Sequence, residues 1–174
     1  MASPADSEPI GATALATAAT AAAFALAEIA RASDRAAMAA QAEVLRLRVA
    51  GAARINALRY PRALAAQETT AALPEDRRDW EIGQAYARAA EPPLELAHIA
   101  ADIAELGAAI VGEALAGLRA DAAAATILAA GAARGAVHLV AINLTAAPND
   151  DRVAAARRCA ETAERAASQA AAAL

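Results

Sequence analysis

Alanine dominates this chain, and its abundance limits the possible folds more than any other sequence feature. Of the 174 residues 64 are Ala, whereas only 2% are aromatic. Alanine is the strongest helix former, and the β-branched and aromatic residues that favour strands are scarce. The sequence therefore predicts an all-α fold. We expect one domain over residues 1–174, with a flexible polar lead over 1–8 and an antiparallel bundle of five to six helices.

Gly, Pro and Asp residues divide the chain into six predicted helices. The first three run from Ala12 to about Ser33, from an Asp34 N-cap to about Ala72 with a kink or break at Pro61, and from Pro74 to Pro92-Pro93. The last three run from Leu94 to about Gly117, from Asp121 to about Leu144, and from an Asp150 or Asp151 cap to the C-terminus. Alanine buries little apolar area per residue. We therefore expect a second copy to complete the core as a symmetric homodimer.

The charged residues and the single cysteine exclude several classes of protein. The chain has 16 Arg, no Lys and 20 acidic residues, for a net charge of −4. It lacks the basic footprint of a nucleic-acid-binding protein, so we expect no nucleic-acid partner. One cysteine cannot form an internal disulfide or a Cys-x-x-Cys motif. Cys159 is interpreted as a small residue on the last helix.

The apolar N-terminal region does not indicate a membrane protein. Its uncharged run over 9–27 consists mostly of Ala and Thr and contains few of the residues that drive membrane insertion. Residues 1–9 carry no basic residue, so they do not resemble a secretory signal. We expect a soluble cytoplasmic protein without a membrane partner.

The sequence does not indicate a metal site or a bound cofactor. Glu95 and His98 form one Glu-x-x-His pair, but a di-iron bundle requires a second pair, and His138 has no acidic residue three positions before it. The acidic residues around this pair are interpreted as one solvated helix face. They are Glu91, Glu95, Asp102 and Glu105.

Asp121 is the acidic residue that is most informative about function. It precedes the uncharged run 122–133 and either caps a helix or acts as a general acid or base. Asn143 lies near the same helix face, but 22 residues of helix span about 33 Å, so the two can share a site only across a dimer. His138 is either a core or interface residue or a second proton-transfer group. Arg59 and Tyr60 flank the Pro61 kink, where they could line a pocket.

Two segments resemble the cyclodeaminase/cyclohydrolase family. Residues 90–97 read AEPPLELA, similar to the family's AxEVPLxxA segment. Residues 121–144 read DAAAATILAAGAARGAVHLVAINL, similar to the family's DxGVAALLAEAAxRGAxLNVxINL. The resemblance implies a dimerising helical bundle with active sites near the subunit interface. It also implies acid–base chemistry at a folate C–N bond, with folate as a substrate and Asp121 as the catalytic acid.

This sequence departs from the family pattern at several polar and glycine positions. The N-terminal PxPGGGS turn corresponds to residues 9–13, where Gly11 alone remains glycine and Thr13 replaces Ser. Arg54 replaces an acid of the second helix, and Leu139 replaces the Asn of LNV. We therefore predict a small-molecule enzyme that has diverged from folate towards a cyclase or hydrolase role in a specialised natural-product pathway, with substrate binding by Gly11, Thr13, His138 and Asn143.

Two other functions remain open from the sequence. One is a genuine methenyltetrahydrofolate cyclohydrolase. The other is a non-catalytic helical scaffold or ligand-binding dimer, in which Asp121 would serve only as a cap.

Overall fold

The computed structural model describes residues 10–174, and six α-helices account for most of that range. They are α1 (Ile10–Ala32), α2 (Ala36–Thr69), α3 (Glu75–Ala89), α4 (Glu91–Glu113), α5 (Arg119–Asn143) and α6 (Asp151–Ala172). A short 3₁₀ turn, Ala116–Leu118, precedes α5. Residues 10–174 contain no strand. The predicted all-α class is confirmed, and the predicted polar lead lies outside the described residues.

Helix α4 forms the centre of the bundle. It packs against each of the other five helices, whereas α1 lies between α2 and α5, and α6 lies against α4 and α5. The largest side chains with almost no exposed surface are Leu26, Ile99, Ile103 and Ile110. Most of the remaining core is alanine, which allows neighbouring helix backbones to approach closely. A few branched side chains therefore contribute a large share of the buried apolar area.

The prediction that Asp34 caps α2 is wrong, because Asp34 instead ends α1. Its φ is 58°, and α2 begins two residues later, at Ala36. The Arg35 N–H donates to the Ala30 carbonyl and the Asp34 N–H to the Arg31 carbonyl. These two bonds form a Schellman motif, whose left-handed residue is usually Gly or Asn and which Asp also tolerates.

Pro61 does not break α2. The helix continues through it from Ala36 to Thr69 rather than to about Ala72. Proline removes the hydrogen bond that the Ala57 carbonyl would otherwise accept. Ala57 lies on the exposed side of the helix, so water can satisfy its carbonyl. The expected helix break therefore does not occur.

The predicted starts of two further helices are displaced. Helix α4 begins at Glu91 and holds Pro92 and Pro93 in its first turn, where missing N–H groups cost little. Helix α5 begins at Arg119, with Leu118 as its N-cap. Asp121 is therefore a first-turn acid and not the N-cap. Its carboxylate still lies near the positive end of the helix dipole.

Asp150 caps α6 as predicted, and it should make stability pH-dependent. Its carboxylate accepts from the Arg152 N–H at 2.9 Å and pairs with the Arg152 guanidinium at 2.7 Å. The side-chain bond to Arg152 lowers the pKa of Asp150 from 3.8 to about 2. The resulting stabilisation is complete above pH 3.8 and is lost as the pH falls through 2.

Asp150→Ala should therefore lower the free energy of unfolding by about 1 kcal/mol at neutral pH. Its deficit relative to wild type should shrink as the pH falls from 4 to 2. Urea unfolding across that pH range measures both effects. Asp150→Asn, which retains the cap without the charge, is the matched control. A deficit independent of pH would contradict the role of the charge.

Gly107 provides the close contact between α4 and α5. A Cβ at this position would overlap the Thr126 hydroxyl and lie 3.2 Å from Leu26 Cδ1. Gly107→Ala should therefore lower the free energy of unfolding by about 1–3 kcal/mol. Gly112→Ala on the same helix is the control, because a Cβ there meets nothing within 4 Å. That control should gain stability from helix propensity. Equal urea midpoints for the two variants would contradict this packing.

Candidate functional site

Gly11, Thr13, His138 and Asn143 lie at the same end of the bundle. Helices α1 and α5 run antiparallel, and a Cβ at Gly11 would lie 3.4 Å from Leu139 Cδ2. Leu139 follows His138 and precedes Asn143 by about one helical turn. Thr13 is exposed in the first turn of α1, where its carbonyl accepts from the Thr17 hydroxyl at 2.9 Å. The four residues predicted to bind substrate therefore share one end of the bundle, where Thr13 and His138 are exposed and Asn143 is buried.

Asn143 is the best-defined polar group in this region. Its side chain is only 8% exposed, and its Nδ2 donates to the Ala89 carbonyl at 3.3 Å. Its Oδ1 is buried without any hydrogen-bond partner. A buried acceptor left unpaired costs about 1–3 kcal/mol. Such an unpaired acceptor is a candidate for pairing with an ordered water, an ion or a ligand.

His138 lies on the outer surface of α5. The residue is exposed, so the interpretation as a core histidine is wrong. The residue lies on the helix face opposite the one that carries the buried alanines. An interface role and a proton-transfer role both stay predictions.

Asp121 lies at the other end of α5. It is exposed, and its carboxylate forms no hydrogen bond or ion pair with the described part of the chain, residues 10–174. The rise of the helix separates Asp121 from Asn143 by about 33 Å. One subunit therefore cannot bring this carboxylate to the site that contains Asn143.

The acidic face of α4 is not simply solvated, because two arginines of α2 pair with it. Arg48 contacts Glu95 at 2.9 Å and Asp102 at 3.0 Å. Arg59 pairs with Glu91. These half-exposed pairs connect two neighbouring helices and each contribute little stability. Among residues 10–174 there is no group of three or more His, Cys, Asp or Glu residues placed to hold a metal ion.

A groove of about 400 Å³ runs between α2 and α4 beside these ion pairs. Arg59 lines it, as expected for the region around Pro61, but Tyr60 does not. The sequence alone does not predict this groove. Its only sequence signal is the set of α2 arginines, and their pairing with α4 depends on how the helices pack. Its lining residues are Arg48, Gly51, Ala52, Ile55, Arg59, Glu91, Pro92 and Glu95.

Cys159 is unsuited to act as a nucleophile. It is half-buried on α6, in a groove of about 240 Å³ that also contains His98. Burial raises the pKa of its thiol, with Asp102 adding to the effect. The thiol therefore stays protonated at neutral pH, and only a thiolate is an effective nucleophile. The interpretation as a small helix residue agrees with this position.

Comparisons with known proteins identify the family. No curated protein matches the sequence. The fold is similar to the crystal structure of formiminotetrahydrofolate cyclodeaminase from Thermotoga maritima, with a TM-score of 0.79 and 14% identity over 94% of this chain and 86% of that one. Residues 9–164, most of the chain, match the family described as formiminotransferase-cyclodeaminase. The chain therefore belongs to the formiminotransferase-cyclodeaminase family.

Proposed function

We propose that this protein is a cyclohydrolase- or cyclodeaminase-type enzyme that acts at an amidine- or iminium-like C–N centre. The unpaired Oδ1 of Asn143 is the observation that supports this proposal most strongly. The Asn143 Nδ2 donates to the Ala89 carbonyl, and this bond fixes the orientation of the side-chain amide and its Oδ1. A substrate N–H next to the reacting carbon would satisfy it.

The chemistry at such a centre requires proton transfer. In the hydrolytic direction, water adds to the electrophilic carbon and loses a proton to a base. The C–N bond then breaks, and the leaving nitrogen takes a proton. Asp121 is the family-matched group for both transfers, and a carboxylate can serve as base and then as acid. His138, which follows in the same helix, is the second candidate for proton transfer.

We further propose that the substrate has diverged from folate, towards a cyclase or hydrolase role in a specialised pathway. Leu139 stands where the family sequence has an Asn, and its side chain lies against Gly11. An apolar group has thus replaced a polar one beside the glycine that permits close approach of a ligand. Exposed Arg54 replaces an acid on α2. The apolar Leu139 disfavours a polar pterin-type ligand.

Methenyltetrahydrofolate is the probe that separates the alternatives, because its bridging carbon is an amidinium centre. We expect catalysed loss of its absorbance with a KM above about 1 mM, the upper end of the usual range. Leu139→Asn should lower this KM. A micromolar KM for the unaltered protein would instead indicate a genuine methenyltetrahydrofolate cyclohydrolase.

Asn143→Leu tests the role of the unpaired oxygen. Leucine has a similar volume but no acceptor, so kcat/KM for methenyltetrahydrofolate should fall about 10- to 100-fold, as expected for one lost hydrogen bond to a charged group. The melting temperature should change little, because the loss of the unpaired acceptor offsets the loss of the donor to the buried Ala89 carbonyl. Thr126→Val, a buried change in the middle of α5, is the control and should retain activity. Unchanged turnover in Asn143→Leu would contradict this role.

A further inference from the structure

The junction between α3 and α4 lacks two backbone hydrogen bonds. Ala90 connects the two helices with φ −75° and ψ −21°, so the chain stays helical as it passes through the junction. In a continuous helix the Arg88 and Ala89 carbonyls accept from the N–H groups four residues later. Those residues are Pro92 and Pro93, which have no N–H. The two carbonyls therefore need donors from outside the helix.

Side chains from three different helices supply donors to the last carbonyls of α3. Arg59 of α2 donates to the Arg88 carbonyl at 3.2 Å, and Asn143 of α5 donates to the Ala89 carbonyl at 3.3 Å. Arg152 of α6 donates to the carbonyl one residue before these two, at 2.7 Å. Successive positions lie about 100° apart around a helix axis, so each carbonyl meets a different neighbouring helix.

The Ala89 carbonyl depends on Asn143 more than the Arg88 carbonyl depends on Arg59. Ala89 is completely buried, and its carbonyl forms no other hydrogen bond within residues 10–174. Arg88 is exposed, so water can reach its carbonyl. A buried carbonyl left unpaired is unfavourable, because it has lost its bonds to water. The Asn143 Nδ2 therefore replaces the backbone N–H that is missing at Pro93.

The Ala89 carbonyl also determines which way the Asn143 amide faces. A carbonyl oxygen only accepts, so the amide turns its nitrogen towards it and its Oδ1 away. An N–H at residue 93 would occupy one of the two acceptor sites of that carbonyl and weaken this preference. The Oδ1 is buried without a partner within residues 10–174. Pro93 thus favours the orientation in which the amide leaves an acceptor, and not a donor, unpaired.

Two of the three donors are themselves held by carboxylates. Arg152 pairs with Asp150 at 2.7 Å, and Arg59 pairs with Glu91 in the first turn of α4. The side chains of Arg152 and Arg59 are only 29% and 37% exposed. A side chain that is already ordered loses less rotamer entropy when it binds a further group. The two arginines are therefore well placed to keep the α3–α4 junction in one position.

We propose that Pro93, Arg59 and Arg152 are positioning residues for the candidate site, since they hold the junction that orients Asn143. Pro93 leaves a buried carbonyl for Nδ2, and the two arginines fix the carbonyls beside it. The Oδ1 is thereby presented as the acceptor for a donor group of the substrate. The role of the junction stands on its hydrogen bonds, whereas the role of Oδ1 rests on the proposed function. The family's AxEVPLxxA segment has Val at position 92, so the bond from Arg59 compensates for a proline of this chain.

Double-variant cycles in urea unfolding test the junction without any substrate. Pro93→Ala supplies an N–H to the Ala89 carbonyl. Relative to its parent, Asn143→Leu should then give an unfolding constant about 2- to 12-fold lower than it gives in the native chain, which corresponds to one hydrogen bond. Arg59→Met should be coupled to Pro92→Ala in the same direction, with a smaller effect because water reaches that carbonyl.

The exchanged pairs are the matched controls for these cycles. Asn143→Leu with Pro92→Ala, and Arg59→Met with Pro93→Ala, do not share a carbonyl and should be additive. Additivity of a pair that does share a carbonyl would overturn the role of its side chain, and equal coupling in the exchanged pairs would overturn both roles. The Arg59 cycle decides alone if Asn143→Leu does not fold.

Turnover of the folded variants tests whether the junction positions the site. Arg59→Met and Arg152→Met should lower kcat/KM for methenyltetrahydrofolate about 10-fold, less than the roughly 10²-fold that a misplacement of 1 Å can cost. Adding Pro92→Ala to Arg59→Met should restore it, because a backbone N–H then holds the Arg88 carbonyl. Arg48→Met, whose native side chain pairs with carboxylates of α4 instead, is the control and should retain turnover. Unchanged kcat/KM in the Arg59 and Arg152 variants would show roles in stability alone and would overturn the positioning.

One further comparison separates the Asn143 Oδ1 from its Nδ2. Pro93→Ala combined with Asn143→Leu keeps a donor for the Ala89 carbonyl but has no Oδ1. This protein should therefore retain the low turnover of Asn143→Leu. Turnover restored to the level of Pro93→Ala alone would overturn the role of Oδ1. Absence of turnover by the native protein would contradict the proposed function instead and leave the unfolding cycles intact.

Discussion

Asp121→Asn is expected to reduce turnover of methenyltetrahydrofolate by about 10²- to 10⁴-fold, the usual contribution of a general acid or base. An amide neither accepts nor donates the required proton at neutral pH. Asp121 is exposed in the first turn of α5 and has no ion-pair partner within residues 10–174, so folding should tolerate the change. Loss of the helix-dipole interaction should cost only about 0.3–1 kcal/mol.

Asp151→Asn is the matched control for this substitution. Asp151 is also an exposed acid in the first turn of a helix, α6. The substitution is the same chemical change near the same kind of helix end, outside the segment 121–144 that carries the resemblance. The control should therefore retain turnover while losing a similar amount of stability. Equal turnover in the two variants would show that Asp121 acts only on the helix dipole.

The second large effect concerns the core. Leu26→Ala is expected to lower the free energy of unfolding by about 2–5 kcal/mol. Leu26 is completely buried and packs among alanines and the isoleucines of α4. Few large side chains are available to move into the cavity. Urea unfolding at one fixed protein concentration measures the change, since the stability of any self-associating protein depends on concentration.

Val44→Ala is the control for the core substitution. Val44 is 57% exposed on α2, so its truncation removes little buried area. The expected cost is within about 0.5 kcal/mol, as for most surface substitutions. A loss at Leu26 as small as that at Val44 would contradict the packing of α1 against α4.

The helices could be predicted from the sequence because their cause is local. Alanine propensity and the positions of Gly and Pro are read directly from neighbouring residues, and the six helices occur near their predicted bounds. The caps were less predictable. Asp34 and Asp121 both fit an N-cap by residue type, but the chain reverses through a Schellman motif at Asp34, and a 3₁₀ turn precedes α5.

The site was predictable only in part, because packing decides which residues meet. Gly11 was identified through the family resemblance and Asn143 from its helix position, and the structure places both at one end of the bundle. The exposure of His138 depends on which face of α5 the neighbouring helices cover. The pairing of Arg48 with the acids of α4 likewise requires the tertiary arrangement. Neither the exposure of His138 nor the pairing of Arg48 can be predicted from the residues adjacent to it in the sequence.

The most direct measurement compares the loss of methenyltetrahydrofolate absorbance with and without the purified protein in the same buffer. We predict a catalysed rate above the buffer background that saturates only at high substrate concentration and that Asn143→Leu reduces. A folded protein whose rate equals the background at every substrate concentration would contradict folate chemistry at this site. It would leave a cyclase with another substrate or a non-catalytic helical scaffold.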